Sequence, residues 1–167
     1  ELAALYATCQ KYDLRLFIDG ARLGYGLVSA ACDYDLPFLA KHCDVFYIGG
    51  TKVGAMMGEA VVFSGMKAPK YFFTNVKRHG ALLAKGRMLG IQFDTLFTDE
   101  LYFKISRHAI AMATRIRSIF EKHGIAIAYD SPTNQQFVVL SPTLYEALSK
   151  KVAFEIWERK SEHEIIC

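Results

Sequence analysis

The chain has 167 residues, of which 52% are hydrophobic and 22% are charged, and its formal net charge is +3. This composition predicts a well-filled core and argues against extensive disorder. No apolar run reaches the roughly 18 to 20 residues that a membrane span needs, and the four scattered cysteines show no CxxC spacing. We therefore expect a cytoplasmic protein with reduced thiols, without a secretory signal, a disulfide framework or a zinc site.

The first 95 residues are predicted to alternate between helices and strands. Apolar residues at helical spacing predict a helix over 1–12, and short apolar runs predict strands at 14–18, 45–48 and 60–63. Strands that alternate with helices favour βαβ units. We expect this region to be part of an α/β domain with a mostly parallel sheet.

Residues 96–167 are predicted to form a small α+β domain. Its clearest element is a long helix from Thr98, as N-cap, to His123, with Gly124 just after its end. The other predicted elements are strands at 125–129, 137–140, near 152–157 and at the C-terminus, and a short helix opened by Ser141-Pro142. Another short helix is predicted after the N-cap Asp35 in the first domain.

Two segments place a charged residue just after a predicted strand. Asp19 and Arg22 follow the first strand in FIDGAR, and Lys52 follows the second in YIGGTK. If these strands are parallel, a right-handed crossover brings their carboxyl ends to one edge of the sheet, where open α/β sheets bind ligands. Asp19 and Lys52 would then face one pocket.

An aspartate and a lysine at opposite ends of one ligand suit pyridoxal 5′-phosphate (PLP). The lysine amine bonds to the aldehyde carbon, and the carboxylate keeps the ring nitrogen protonated. Arg22 suits a bidentate hold on the carboxylate of an amino acid. A solvated surface lysine and an aspartate in a simple turn are the ordinary alternatives. Residue type and spacing therefore indicate a site without identifying it.

A family resemblance is carried by three segments: LFIDGARLGYGL, DVFYIGGTKVGAMMGEAVVF and KRHGALLAKGRMLG. They resemble the threonine aldolase / aromatic amino acid β-eliminating lyase family, whose members have the aspartate aminotransferase-like fold (fold type I). The resemblance covers most of 1–95 and, more weakly, the residues that follow. It implies that 1–95 are the C-terminal part of a PLP-binding large domain and that 96–167 are a truncated small α+β domain of a longer enzyme.

The resemblance also implies roles for individual residues. Lys52 would be the Schiff-base lysine, Asp19 the partner of the pyridine nitrogen and Arg22 the holder of the substrate carboxylate, which makes these three the candidate catalytic residues. Thr51 and Arg87 are further candidate cofactor-binding residues. The segment AKGR, which contains Arg87, matches a basic motif that in relatives lies near the cofactor phosphate or a subunit interface. No metal site is predicted.

The implied activity is cleavage of the Cα–Cβ bond of L-threonine or L-allo-threonine to glycine and acetaldehyde. The parent enzyme is expected to be a homodimer or homotetramer that acts on a small amino acid, and the chain alone is expected to be inactive. Three alternatives stay open: a β-eliminating lyase for another amino acid, a non-catalytic phosphate- or nucleotide-binding α/β module, and an inert remnant. Residues 60–93 carry six basic and no acidic side chains. This run favours a phosphate-facing or interface role over nucleic-acid binding.

Overall fold

The computed structural model describes all residues from 1 to 167. The chain forms two compact units, Glu1–Ser106 and Arg107–Cys167. The domain limits at 1–95 and 96–167, which were drawn for a longer enzyme, stay a prediction. None of the helices combines the length and the apolar character that crossing a membrane requires.

The first unit combines a three-stranded sheet with short helices. Its strands are β1 (Phe17–Ile18), β2 (Val45–Gly49) and β3 (Glu59–Phe63). Its helices are α1 (Leu2–Lys11), α2 (Leu23–Leu27), α3 (Leu36–Lys41), α4 (Phe72–Arg78), α5 (Arg87–Phe97) and the first residues of α6 (Leu101–Lys122). The predicted mixture of helices and strands is confirmed.

The sheet of the first unit is mixed. β1 pairs with β2 in parallel, with Phe17 opposite Val45, as the sequence predicts. β2 pairs with β3 antiparallel, which corrects the expectation of a mostly parallel sheet. The connection 50–58 contains no helix and is shorter than the dozen or more residues that a parallel crossover needs. The chain therefore has to turn back on itself after β2.

The register of β1 against β2 is fixed by a buried carboxylate. Asp44 is 1% exposed and stands immediately before β2. It accepts a hydrogen bond from the N–H of Leu16 at 2.8 Å and one from Arg15 at 3.3 Å. Because a buried acidic group is costly unless it is paired, this arrangement favours one alignment of the two strands.

Helix ends in both units follow the sequence signals in most places. Asp35 caps α3 by accepting from the N–H of Phe38 at 2.8 Å, and Ser141 caps α7 (Pro142–Ser149) in the same way. Gly124 has φ +70, as expected for the residue after a helix end. The prediction of Thr98 as an N-cap is wrong. Its hydroxyl donates back to the carbonyl of Asp94, and a short 3₁₀ turn separates it from α6.

The second unit contains a small antiparallel sheet with the strand order β4-β5-β7-β6. Its elements are the rest of α6, then β4 (Ile127–Tyr129), β5 (Phe137–Leu140), α7, β6 (Glu158–Arg159) and β7 (Ile165–Ile166). The predicted strand near 152–157 is wrong, because the pairing strand begins at Glu158. Val138 and Leu140 of β5 and both residues of β7 form the buried centre of the sheet.

Candidate functional site

The ends of β1 and β2 lie side by side, with the charged segments just beyond them. The N–H of Gly49 donates to the carbonyl of Gly20 at 2.9 Å, so the parallel pairing continues past the last residue of β1. Asp19 and Arg22 lie in the turn that leads from β1 to α2, and Lys52 lies in the turn after β2. The two segments selected from the sequence therefore meet at one edge of the sheet.

Glycine is required where these segments cross. A Cβ atom added to Gly20 would lie 1.7 Å from the carbonyl oxygen of Tyr47, and one added to Gly49 would lie 2.4 Å from that of Ala21. No side chain fits either position without displacing backbone. The close approach thus depends on glycines in DGAR and in the first position of GGTK.

Asp19 is an exposed carboxylate that is hydrogen-bonded to its neighbours through one of its two oxygen atoms. Its Oδ1 accepts hydrogen bonds from the hydroxyl of Tyr47 and, at 3.0 Å, from the N–H of Ala21. These bonds, together with the charges of Lys52 and Arg22, lower the pKa of Asp19 below its ordinary value. Asp19 is therefore held as an anion. Both hydrogen bonds go to Oδ1, so Oδ2 has no protein donor.

The positive charges of Lys52 and Arg22 both act on the carboxylate of Asp19. Both side chains are exposed, and each acts on Asp19 through its charge. The structure thus places the three predicted catalytic residues close enough together for their charges to interact. Lys52 comes from the loop after β2, and Asp19 and Arg22 come from the turn after β1.

The backbone around Lys52 is held by side chains from outside its loop. We call residues 50–58 the lysine loop. The carboxylate of Glu59 accepts from the N–H of Gly50 at 2.7 Å and from the hydroxyl of Thr51 at 3.2 Å. The hydroxyl of Tyr25 donates to the carbonyl of Lys52 itself. The loop is therefore a fixed structure, although its outer side chains are exposed.

Helix α5 packs beneath the lysine loop. Gln92 accepts from the N–H of Met56 at 2.7 Å, and the ring of Phe93 lies close to Gly50, where a Cβ would approach it to 2.9 Å. Lys85, just before α5, lines an apolar cavity of about 390 Å³ together with Met56 and other residues of the loop and helix. The basic segment AKGR consequently lies beside the lysine loop.

Two of the predicted cofactor-binding residues differ from Lys52 and Asp19 in their surroundings. The hydroxyl of Thr51 donates to Glu59, which gives Thr51 a role in closing the loop. Arg87 is exposed at the first position of α5, and it forms no hydrogen bond or ion pair with Asp19. The cofactor-binding roles of Thr51 and Arg87 stay predictions.

Four residues of the site were not found from the sequence. They are Tyr25, Tyr47, Glu59 and Tyr102, of which Tyr102 bonds to the carbonyl of Gly49 at 3.0 Å. Tyr47 lies two residues before Gly49 on β2, so strand alternation could have placed it on the same face. Glu59 is placed by the β2–β3 pairing, opposite Gly49, whereas Tyr25 and Tyr102 reach the site through contacts between distant residues, which leave no local signal.

Comparison with known proteins gives consistent matches. The family described as "Beta-eliminating lyase" matches residues 1–143. A low specificity L-threonine aldolase of Pseudomonas sp. (strain NCIMB 10558) is 30% identical over 90% of this chain and 44% of its own length. The corresponding protein of Pseudomonas aeruginosa is 29% identical over 89% of this chain and 43% of its own length. The chain thus spans less than half the length of these relatives.

A solved structure shows the same fold. The threonine aldolase of Leishmania major superposes with a TM-score of 0.95 and is 37% identical, covering 99% of this chain and 49% of the other. A match of this quality over nearly the whole chain confirms the predicted fold class, although the sequence pattern did not predict the antiparallel β3.

Proposed function

Because the chain belongs to the beta-eliminating lyase family, whose members are PLP-dependent lyases, we propose that the protein containing it cleaves the Cα–Cβ bond of L-threonine or L-allo-threonine. The products of this reaction are glycine and acetaldehyde. The proposal draws on the threonine aldolases to which the chain is similar. It rests on one observation above all: Asp19, Arg22 and Lys52 meet at the carboxyl ends of two parallel strands.

The residues at this edge fit PLP. Asp19 is kept anionic and has Oδ2 available, which suits a partner for a protonated ring nitrogen. Lys52 is exposed, on a loop whose backbone is fixed, which suits an amine that bonds to the aldehyde carbon. Bound PLP supplies an electron sink for the charge that develops at Cα when the bond breaks.

Each of the three residues has a distinct task in the proposed reaction. The anionic Asp19 would hold a protonated ring nitrogen through a charge-assisted hydrogen bond. Lys52 would hold the cofactor through its side-chain amine. Arg22 orients the substrate by binding its carboxylate with two parallel N–H bonds, which selects the bond to be broken.

Tyr47 assists Asp19 in this scheme. Its hydroxyl donates to Oδ1, the oxygen that also accepts from Ala21, and the pairing with Asp19 raises the pKa of Tyr47 to about 12. The phenol therefore stays protonated and keeps donating over the whole neutral range. This holds the carboxylate in one orientation and directs Oδ2 outward.

The remaining expectations are part of the same proposal. Thr51 and Arg87 are proposed to contact the cofactor, and Arg87 is exposed as that role requires. All four cysteines are free thiols, which supports a cytoplasmic location. A homodimer or homotetramer is proposed on the family resemblance.

Product analysis on the full-length protein tests the proposed reaction. With PLP and L-threonine, we expect acetaldehyde and glycine in equal amounts, and we expect Lys52→Ala to abolish their formation. Lys41→Ala, which removes an exposed lysine at the end of α3, is the matched control and should keep full activity. Ammonia and a keto acid as the products would instead identify a β-elimination, and turnover by Lys52→Ala would contradict the assigned lysine.

A further inference from the structure

We propose that Tyr25 and Tyr102 are positioning residues, which tie the lysine loop to helix α2 and so set the place of Lys52 relative to Arg22. This inference rests on the proposed function. We call the two tyrosines the tyrosine bracket. They come from distant parts of the first unit, α2 and the first turn of α6, and their hydroxyls meet the same short stretch of backbone.

Tyr102 joins α2 to the end of β2 through a single hydroxyl. Its side chain is fully buried, at 0% exposure. The hydroxyl accepts from the N–H of Gly24 at 3.1 Å and donates to the carbonyl of Gly49 at 3.0 Å. Gly24 and Gly49 are buried. Removing the hydroxyl therefore leaves a buried N–H and a buried carbonyl without these hydrogen bonds, which costs free energy. The link is therefore specific to a tyrosine.

Tyr25 extends the same link to the candidate lysine. It follows Gly24 on α2 and is 7% exposed. Its hydroxyl donates to the carbonyl of Lys52. The two tyrosines thus hold the backbone at Gly49 and Lys52, the two ends of the segment GGTK.

Helix α2 itself has little freedom to move. A Cβ on Gly24 would lie 2.5 Å from the hydroxyl of Ser106 and 2.8 Å from the ring of Tyr102. Ser106 in turn donates to the carbonyl of Tyr102 at 2.8 Å. The first turns of α6 therefore seat α2 in one position, and Arg22 is the residue directly before this helix.

The bracket matters because the lysine loop is open on its other side. Lys52 is exposed, and Met56 and Met57 are 77% and 47% exposed. The contacts that locate the backbone of Lys52 come from the buried side, where the bracket lies. A loop that is free to shift by about 1 Å can lose on the order of 100-fold in rate, because the amine and the substrate no longer meet in the reactive geometry.

The test uses Tyr102→Phe and Tyr25→Phe in the full-length protein, with Tyr34→Phe as the matched control. Tyr34 packs against the core cluster of the first unit and against the ring of Phe38 on α3. We expect kcat/KM for L-threonine to fall by about 10-fold or more in each bracket variant, and to be unchanged in the control. In cofactor-free protein, the amides of residues 49–55 should exchange with deuterium about 10-fold faster in Tyr102→Phe than in wild type.

A double variant separates positioning from simple packing. Arg22→Lys and Tyr102→Phe act on the same geometry, so their combined loss of kcat/KM should be smaller than the product of the single losses. Multiplicative losses, or bracket variants with wild-type kcat/KM and wild-type exchange at 49–55, overturn the inference. Absence of turnover and of cofactor absorbance in the wild type would instead overturn the proposed function, and the positioning role with it.

Discussion

The lysine loop and the β4–β5 loop (residues 130–136) are both irregular connections between antiparallel strands, but they are held in different ways. The lysine loop is bonded by Tyr25 and Gln92, which lie 27 and 36 positions from their partners, and by Glu59, which directly follows the loop. The β4–β5 loop is bonded mainly within itself, although Asp130 at its start also pairs with Arg117 at 2.7 Å. Its Gln136 donates to the carbonyls of Ser131 and Thr133, and the hydroxyls of those two residues lie 3.1 Å apart.

The difference shows what a loop needs in order to carry a reactive side chain. Bonds within a loop keep its shape, but they do not fix the loop relative to more distant groups. A loop held by distant side chains is fixed relative to them, and Lys52 is placed in this way relative to Asp19 and Arg22. The lysine loop should therefore respond to substitutions elsewhere in its unit, whereas the β4–β5 loop should respond mainly to its own.

The largest effect is expected where the two strand ends cross. Gly20→Ala would bring a methyl group to 1.7 Å from the carbonyl oxygen of Tyr47, so backbone has to move. We expect a loss of more than about 4 kcal/mol in the free energy of unfolding, measured by urea denaturation. Gly90→Ala is the control, since its Cβ meets open space on α5 and should stabilise by up to about 1 kcal/mol. Similar stabilities for the two variants would show that the crossing is looser than described.

A smaller effect distinguishes the two loops directly. Glu59→Gln weakens the charge-assisted bonds to Gly50 and Thr51, and we expect a loss of about 1 to 2 kcal/mol in the free energy of unfolding. Ser131→Ala should cost less than about 0.5 kcal/mol, because Gln136 still bonds the loop backbone. Equal losses in urea denaturation would remove the contrast between the loops.

Helix caps provide a comparison in which both units should behave alike. Asp35→Ala and Ser141→Ala each remove one capping bond from a short helix, and each should lower the free energy of unfolding by about 1 kcal/mol. The reason is that a cap acts locally, whatever surrounds the helix. Asp35→Asn and Ser141→Thr keep an acceptor and should restore most of the stability.

The smallest effect on stability is confined to the extremes of pH. The folded state lowers the pKa of Asp19, chiefly through Tyr47, so its contribution is present above the ordinary pKa of 3.8 and is lost as the pH falls through the lowered value. Tyr47 itself is raised to about 12, so its contribution is present below pH 10 and is lost as the pH rises through about 12. Tyr47→Phe should remove the dependence at high pH and reduce the one at low pH.

Carbon-13 NMR of the Asp19 carboxyl checks this directly. In Tyr47→Phe its midpoint should move upward, toward the ordinary value, while the remaining hydrogen bond from Ala21 keeps it slightly low. An unchanged midpoint would mean that the N–H of Ala21 and the charges of Lys52 and Arg22, and not Tyr47, keep the carboxylate ionised.

Local signals in the sequence predicted local structure well. The caps Asp35 and Ser141, the helix stop at Gly124 and the strand β2 all depend on residues within a few positions of one another. Thr98 misled the prediction because Asp99 and Glu100 adopt positive φ, and its hydroxyl belongs to the end of α5. Helix α5 was not predicted, since it starts after Gly86 without a capping side chain.

The residues of the candidate site also divide into those that have a local signal in the sequence and those that do not. Asp19, Arg22 and Lys52 could be selected because each lies within a few residues after a strand, and parallel pairing then fixes where strand ends meet. Tyr25 and Tyr102, which hold the lysine loop and the end of β2, could not, because their hydroxyls bond to partners 27 and 53 positions away. Such contacts are set by the packed structure and have no signature at any one place in the sequence.

Chemical trapping tests the central claim, that Lys52 is the amine that holds the cofactor. The full-length protein is loaded with PLP, reduced with borohydride, digested and mapped by mass spectrometry. The account predicts the phosphopyridoxyl label on the peptide that contains Lys52, and no label after Lys52→Ala. A label on any other lysine, such as the neighbouring Lys85, would contradict it.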